Sequence, residues 1–287
     1  MDDDNRLGEF LRARRQQVQP ADVGLPGTAT AGRRRVQGLR REELAMLAGV
    51  SADYYIRLEQ GRDRHPSDAV IDALAKVLRL DDGAIRHLRA LSKPVGPRRP
   101  SRARPEHAAP GLTRLLQRWS TTPAMVVGRC MDVLAHNPLA AALYAGVQLE
   151  ANLVRMVFLD TAARGLYVDW PEVADDTVGA LRSMAGGEAD NPRLDALVAE
   201  LSAGSDEFRQ RWARHDVREK TSGTKRFMHP SLGELALDYE TLTVNGGSGQ
   251  MLVVYHAAPG TAAERALLEL ARQADAPSST AGAANGR

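Results

Sequence analysis

The sequence predicts an all-α domain of five short helices followed by an α+β domain with an antiparallel sheet. Every apolar pattern up to residue 93 repeats at helical spacing. Residues 94–110, PVGPRRPSRARPEHAAP, then carry five prolines and no apolar period. Beyond them, short apolar runs separated by glycine-containing turns alternate with helical stretches.

Each element has a local reason. Leu7, Phe10, Leu11 and Val18 share a stripe, which predicts a helix over 7–18. Residues 19–38 form an Arg/Gly/Pro loop, and helices over 42–48 and 51–60 follow. Ser67 is a candidate N-cap for 67–78, which turns Val70, Ile71, Leu74 and Leu78 inward. Residues 81–91 repeat that logic with Ile85 and Leu88. In the second half, 124–127 and 132–135 predict a hairpin. Val173, Thr177, Ala180, Leu181 and Met184 share the face of a helix over 173–185. Leu194, Leu197, Val198 and Leu201 mark another helix, and Phe208 with Trp212 a third. Strands are expected over 224–228, 234–243 and 250–256, with an Asn-Gly reversal before the last, and a helix over 261–272 closes the domain. The order β-β-α-α-α-β-β-β-α is that of an α+β domain. The expected divisions are a helical domain at 1–93, an extended linker at 94–110, the α+β domain at 111–273 and a disordered Ala/Ser/Gly tail at 274–287.

The 287 residues suffice for one large or two ordinary domains, and 43% apolar with 26% charged residues suits a chain that buries a core. The longest uncharged stretch, 133–149, is broken by His136, Asn137 and Pro138, so no membrane span is expected. Three aspartates at the N-terminus do not begin a secretory signal, and a cytoplasmic protein without a membrane partner is expected. Cys130 stands alone, which excludes an internal disulfide framework and a multi-cysteine zinc site, and reads as a buried small hydrophobe. The seven histidines show no metal-ligand spacing, and no Gly-rich phosphate loop follows a strand. The neighbours His215 and Asp216 would point about 100° apart on a helix. No enzymatic activity, metal or cofactor is expected.

The net charge of +2 conceals an asymmetry. Residues 1–110 hold 21 Lys and Arg against 15 Asp and Glu, whereas 111–287 hold 17 against 21. Between 33 and 104 the count is 17 against 9. A polyanion partner for the first half, or an arginine-coated solvated face, both fit this balance.

Residues 41–60, REELAMLAGVSADYYIRLEQ, decide between the two. Ala45 provides the small residue that two closely crossing helices need, and Gly49 the residue free to take positive φ in the tight turn. Leu44, Ala48, Val50, Tyr55 and Leu58 fall where apolar groups seal the underside of the pair, and Ser51 caps the second helix. In this register, with LEQGRDRHPS downstream, the stretch resembles a helix-turn-helix of the phage-repressor (Xre/Cro) type. Ala52, Asp53, Ile56, Arg57 and Gln60 form the face that such repressors lay in the major groove. Arg57 either reads guanine through O6 and N7, worth roughly 1–3 kcal/mol of discrimination, or holds a phosphate. Asp53 can accept from a cytosine amine, and Ile56 or Ala52 can touch a thymine methyl. By the same resemblance Ser51 and Tyr54 hold phosphates, and Glu59 pairs with Arg15 as a structural bridge. Arg33, Arg34, Arg35, Arg40 and Arg41 before the pair, and Arg62 and Arg64 after it, are candidate phosphate clamps. Residues 33–35 alternatively enter a minor groove or lie in a solvated loop.

Taken whole, the chain resembles the MmyB-like regulators of actinobacterial type. The resemblance covers about residues 5–270. It is carried by GRRRVQGLRREELAMLAGVSADYYIRLEQGRD in the head, and by MDVLAHNPLAAALY, NLVRMVFLD, LYVDWPEVADDTVGALR, SDEFRQRWARHDV and HPSLGELALDYETL in the body. His136 departs from it, standing where tryptophan is expected before Asn-Pro. The resemblance implies a PAS-like second domain that senses a small apolar molecule such as a fatty acid. From the residues themselves, Met125, Met156, Phe158, Leu181, Trp212 and Phe227 are candidate ligand contacts or ordinary core. Arg155 or His215 could anchor a carboxylate, His215 being equally readable as a surface histidine. The expectation is a sequence-specific DNA-binding repressor acting as a homodimer on an inverted repeat of double-stranded DNA. The alternative is a ligand-independent adaptor whose second domain serves only dimerisation or a protein partner.

Overall fold

The computed structural model describes residues 5–26, 38–93, 106–149, 152–185, 191–219, 221–246 and 249–275. The expected clamps Arg33, Arg34 and Arg35, most of the expected linker and almost all of the expected tail lie outside them. The chain divides by packing into two compact units, Met1–Ala103 with Val178–Glu219, and Arg104–Thr177 with Lys220–Arg287. Residues 178–219, which the sequence reading joins to the second domain, thus pack with the first helices.

The first unit is helical. It opens with α1 (Arg6–Gln17), a short 3-10 turn (Pro20–Val23), α2 (Arg41–Ala48), α3 (Ala52–Glu59), α4 (Asp68–Val77) and α5 (Asp82–Ser92). These are the five expected helices, each within two residues of its expected ends. Ser67 Oγ accepts from the Val70 amide, and Asp81 Oδ1 from the Ala84 amide at 2.8 Å, so caps set two of the starts. The core joins Leu7, Phe10, Leu11, Leu39, Leu44, Tyr55, Leu58, Ile71, Leu74, Leu78 and Leu88 with Val217 from the distant segment. Each such large apolar side chain contributes roughly 2 kcal/mol by leaving water.

The second unit is built on a five-stranded antiparallel sheet in the order β2-β1-β5-β4-β3, from β1 (Ala124–Val127), β2 (Val133–His136), β3 (Ser222–His229), β4 (Gly233–Thr243) and β5 (Met251–His256). Alternation turns Lys225, Phe227 and His229 of β3, and Leu235, Leu237 and Tyr239 of β4, toward the interior. The register sets Phe227 opposite Leu235, and Tyr239 opposite Tyr255. Four short helices that periodicity does not reveal complete the chain before the long ones: α6 (Pro110–Leu116), α7 (Pro138–Leu143), α8 (Leu153–Leu159) and α9 (Thr161–Leu166). At six or seven residues each, they are too short to display a repeat, and caps define them instead. Asn137, Asn152 and Asp160 each accept amides of the first turn, and Pro110 and Pro138 occupy first-turn positions. Of the remaining helices, α10 (Trp170–Ala185) precedes α11 (Pro192–Gly204) and α12 (Asp206–Trp212), which belong to the first unit, and α13 (Ala262–Asp275) belongs to the second. In this unit α13 packs on α7 and β4, α6 on β2, and α9 on β3.

Candidate nucleic-acid interface

The α2–turn–α3 pair has the expected internal construction. Gly49 takes φ +68°, and its amide donates to the Ala45 and Met46 carbonyls, closing α2 in the left-handed conformation that glycine adopts without cost. Ser51 Oγ then accepts from the Tyr54 amide at 3.2 Å and starts α3. Leu44, Ala45, Ala48, Tyr55 and Leu58 are buried beneath the pair, and Val50 packs partly against them.

The underside carries a charge as well. Glu59, at the end of α3, is 3% exposed. It accepts from Arg15 Nε of α1 at 2.6 Å and from Arg41 Nε of α2 at 2.7 Å. Arg15 also donates to the Leu39 carbonyl at 2.6 Å, and Asn5 Nδ2 to the Glu59 carbonyl at 2.9 Å. Burial opposes ionisation of Glu59, but the hydrogen bonds from Arg15 and Arg41 outweigh it and hold the carboxyl below its ordinary value. One carboxylate therefore ties three helices together. The Arg15–Glu59 bridge is as the sequence implied, and the second bond shows that Arg41, a candidate clamp, is also part of this scaffold.

Helix α1 also approaches the end of α3 closely, at Gly8. A Cβ on Gly8 would stand 2.2 Å from the Glu59 carbonyl oxygen. Absence of a side chain there sets how α1 crosses the end of α3. Nothing in the spacing of α1 singles it out.

Opposite this anchored side, Asp53, Arg57 and Gln60 are exposed, and Ala52, Tyr54 and Ile56 half-buried. The Arg57 guanidinium lies 5.6 Å from the Tyr54 ring centroid, a cation–π distance that orients it along the helix. Arg40, Arg62 and Arg64 are exposed near the ends of the pair, with Arg64 Nε donating to the Gly61 carbonyl at 2.9 Å. The arrangement is a short rod whose polar side faces outward and whose other side is fixed by apolar contacts and one buried ion-pair network.

Two family descriptions match the chain. One, a helix-turn-helix domain, covers residues 6–88. The other, the MmyB-like transcription regulator ligand binding domain, covers residues 108–271, more than half of the chain. The chain belongs to the MmyB-like transcription regulators. It is thereby a DNA-binding helix-turn-helix protein with a ligand-binding domain, and both families are regulator domains rather than enzymes. No curated protein matches it. Among the described residues, no helix is long and apolar enough to cross a membrane, and no cluster of His, Cys, Asp and Glu could hold a metal ion.

In this MmyB-like regulator the eight candidate ligand contacts are divided between the packing units. Met125, Arg155, Met156, Phe158 and Phe227 belong to the second, and Leu181, Trp212 and His215 to the first. Met125 and Phe227 are fully buried. Phe227 stands within 5.5–5.6 Å, centroid to centroid, of Tyr144, Tyr167 and Tyr255. Tyr144 and Tyr255 share a hydroxyl–hydroxyl hydrogen bond of 2.6 Å, and Lys225 Nζ lies 5.3–5.8 Å from the rings of Tyr167, Tyr239 and Tyr255. His215 is half-buried. Its Nδ1 accepts from Arg182 Nη1 at 2.7 Å, and burial together with the Arg182 charge pushes its pKa down to about 3.

Two asparagines of the quoted family stretches have structural roles that the sequence reading passes over. Fully buried Asn137 donates to the Trp119 and Thr122 carbonyls and accepts from the Ala124 and Ala140 amides. Asn152 donates to the Cys130 carbonyl and to Asp132, and caps α8. The Asn-Pro pair at 137–138 was the available signal, since Pro at the first helical position follows a capping residue. Buried Cys130 is the small hydrophobe expected.

Proposed function

We propose that this regulator is a cytoplasmic, sequence-specific repressor that binds an inverted-repeat operator as a homodimer and answers to a small apolar ligand such as a fatty acid. The observation that carries the DNA reading is the outward presentation of Asp53, Arg57 and Gln60 on a helix fixed from behind by Tyr55, Leu58 and Glu59. Arg57 forks onto guanine O6 and N7, Asp53 accepts from a cytosine amine, and Ile56 or Ala52 meets a thymine methyl. Ser51, Tyr54, Arg40, Arg41, Arg62 and Arg64, with residues 33–35, hold phosphates and set the register. Two copies of α3 enter successive major grooves about 34 Å apart. The second domain contributes binding and no catalysis.

The ligand reading is supported by the description of the second family and by the apolar and aromatic interior around Met125, Met156 and Phe227. The adaptor alternative is favoured by one observation, the mutual packing of Tyr144, Tyr167, Phe227 and Tyr255, in which the domain's own rings occupy its interior.

Selection from random duplexes with the purified full chain tests the DNA half. A palindrome with half-sites about ten base pairs apart is the expected result. Recovered duplexes without any shared motif overturn it. For the ligand half, long-chain fatty acids should raise the melting temperature by several degrees and change operator affinity at fixed salt. No change in either leaves the adaptor reading.

A further inference from the structure

Residues 178–219 grip the helical head from one side. Asp216 Oδ1 accepts from Arg14 Nη1 at 2.7 Å, and Gln17 Nε2 donates to the Arg214 carbonyl at 2.6 Å. Arg6, at the start of α1, reaches Asp195 of α11 at 3.1 Å. Arg86 of α5 holds Glu219 in a two-pronged pair, through Nε at 2.6 Å and through Nη2. Val217, 4% exposed, joins the same apolar cluster as Phe10, Leu11 and Leu88. The head residues in these contacts belong to α1 and α5, while Asp53, Arg57 and Gln60 of α3 stay exposed. The segment therefore leaves the reading face open and holds the helices behind it. Of these, α1 backs α3 directly, through Arg15–Glu59 and the close approach at Gly8.

The same segment is tied to α10. Arg182, 6% exposed, donates through Nη1 to His215 and through Nη2 to the Trp212 carbonyl, and its guanidinium lies 3.9 Å from the Trp212 ring. A Cβ on Gly179 would stand 2.8 Å from the Arg218 side chain, so α10 and the chain before Glu219 touch closely.

We propose that residues 178–219 are a brace for the head of this regulator: docked on α1 and α5 they hold the α2–α3 pair for DNA, and loosening the dock lowers DNA affinity. This rests on the reading that α3 contacts DNA. A brace raises affinity by removing freedom that binding would otherwise have to remove. Coupling is reciprocal, so bound DNA tightens the dock in turn.

The test uses the full chain, a selected operator duplex and hydrogen exchange. Asp216→Arg with Glu219→Arg should deprotect α1, α5 and α12 and weaken operator binding by roughly fivefold or more. Simple electrostatics gives the opposite sign, because the variant adds positive charge. Adding Arg14→Asp and Arg86→Glu restores both pairs in reverse and should return affinity to within about twofold of wild type. Val217→Asn opens the dock without changing the net charge and should weaken binding likewise. Unchanged or tighter operator binding in a chain whose dock has opened overturns the proposal. Unchanged exchange in both kinds of variant overturns it too, since the dock would then be absent in solution. Wild-type binding to the duplex is the control that separates the two readings: without it the DNA-binding reading itself fails, and the proposal falls with it.

Discussion

Arg15 Nε donates to Glu59 Oε1 across 2.6 Å, with the two side chains 5% and 1% exposed. The bond joins the first helix to the last residue of α3, so the helix presented to DNA is held by a charge pair removed from water. Such a pair is costly to break from one side, because the remaining ion stays buried without compensation.

Glu59→Ala should accordingly destabilise the head by about 3–5 kcal/mol, read as a lowered thermal midpoint. Arg15→Met combined with Glu59→Met removes both ions and should recover most of that loss. A double variant no more stable than Glu59→Ala would show that the pair itself, and not the stranded ion, supplies the stability.

Acid should weaken the first unit through two histidines. Burial and then the Arg182 charge push His87 down to about 4, and burial followed by Arg182, His87 and Arg14 pushes His215 to about 3. Asp216 and Glu9 are the carboxylates that act on Arg182 in the same cluster. In the unfolded chain both imidazoles titrate near about 6.5, so below that pH the unfolded state binds protons that the folded state refuses. Stability should therefore be level with respect to these groups above about pH 6.5 and fall progressively from there toward pH 4 and below. Thermal midpoints across that range, in wild type and in a His87→Gln, His215→Gln variant, check it. An equally steep fall in the variant would assign the slope to other groups.

The glycines at 8 and 49 should respond differently to alanine. At Gly49 there is open space but a φ of +68°, so Gly49→Ala costs about 1 kcal/mol of backbone strain. Gly8 lies within α1, where alanine is ordinarily the better helix former. A Cβ at 2.2 Å from the Glu59 carbonyl reverses that preference, and Gly8→Ala should cost roughly 2 kcal/mol or more and weaken DNA binding by tilting α3. Equilibrium unfolding of both variants decides the order.

Arg57→Ala should erase the preference between the operator and an operator mutated at the contacted guanine, a loss of roughly 1–3 kcal/mol of discrimination. Arg40→Ala should weaken both duplexes alike and reduce the salt slope by about one. Matching behaviour of the two variants in binding titrations would remove the distinction between reader and clamp.

The construction of α2–turn–α3 was legible because its determinants are local. Ser51 caps within its own turn, Gly49 answers a backbone angle at its own position, and the buried face repeats within one helix. Glu59 with Arg15 was legible by resemblance. The second bond to Glu59 was not, since Arg41 is an ordinary exposed arginine in any reading of its neighbours. The helices α6–α9 escaped because six or seven residues display a period only weakly; α12, equally short, was legible through Phe208 and Trp212, whereas α6–α9 showed only caps and prolines. The surroundings of His215 are not legible in the sequence, because they include Arg182, thirty-three positions away.

By itself, then, the sequence determined the types and ends of the longer elements, the turn that joins α2 to α3, and the two families to which the halves belong. The elements and the turn follow from hydrogen-bond caps, backbone angles and apolar spacing, all satisfied within a few residues, and the families from the resemblance of the quoted stretches. Tertiary structure alone decided that residues 178–219 close against the head, that Gly8 sets the crossing of α1 over α3, and that burial, with Arg182 beside it, lowers the pKa of His215. Those outcomes depend on which distant surfaces meet and exclude water, and no local pattern encodes that choice.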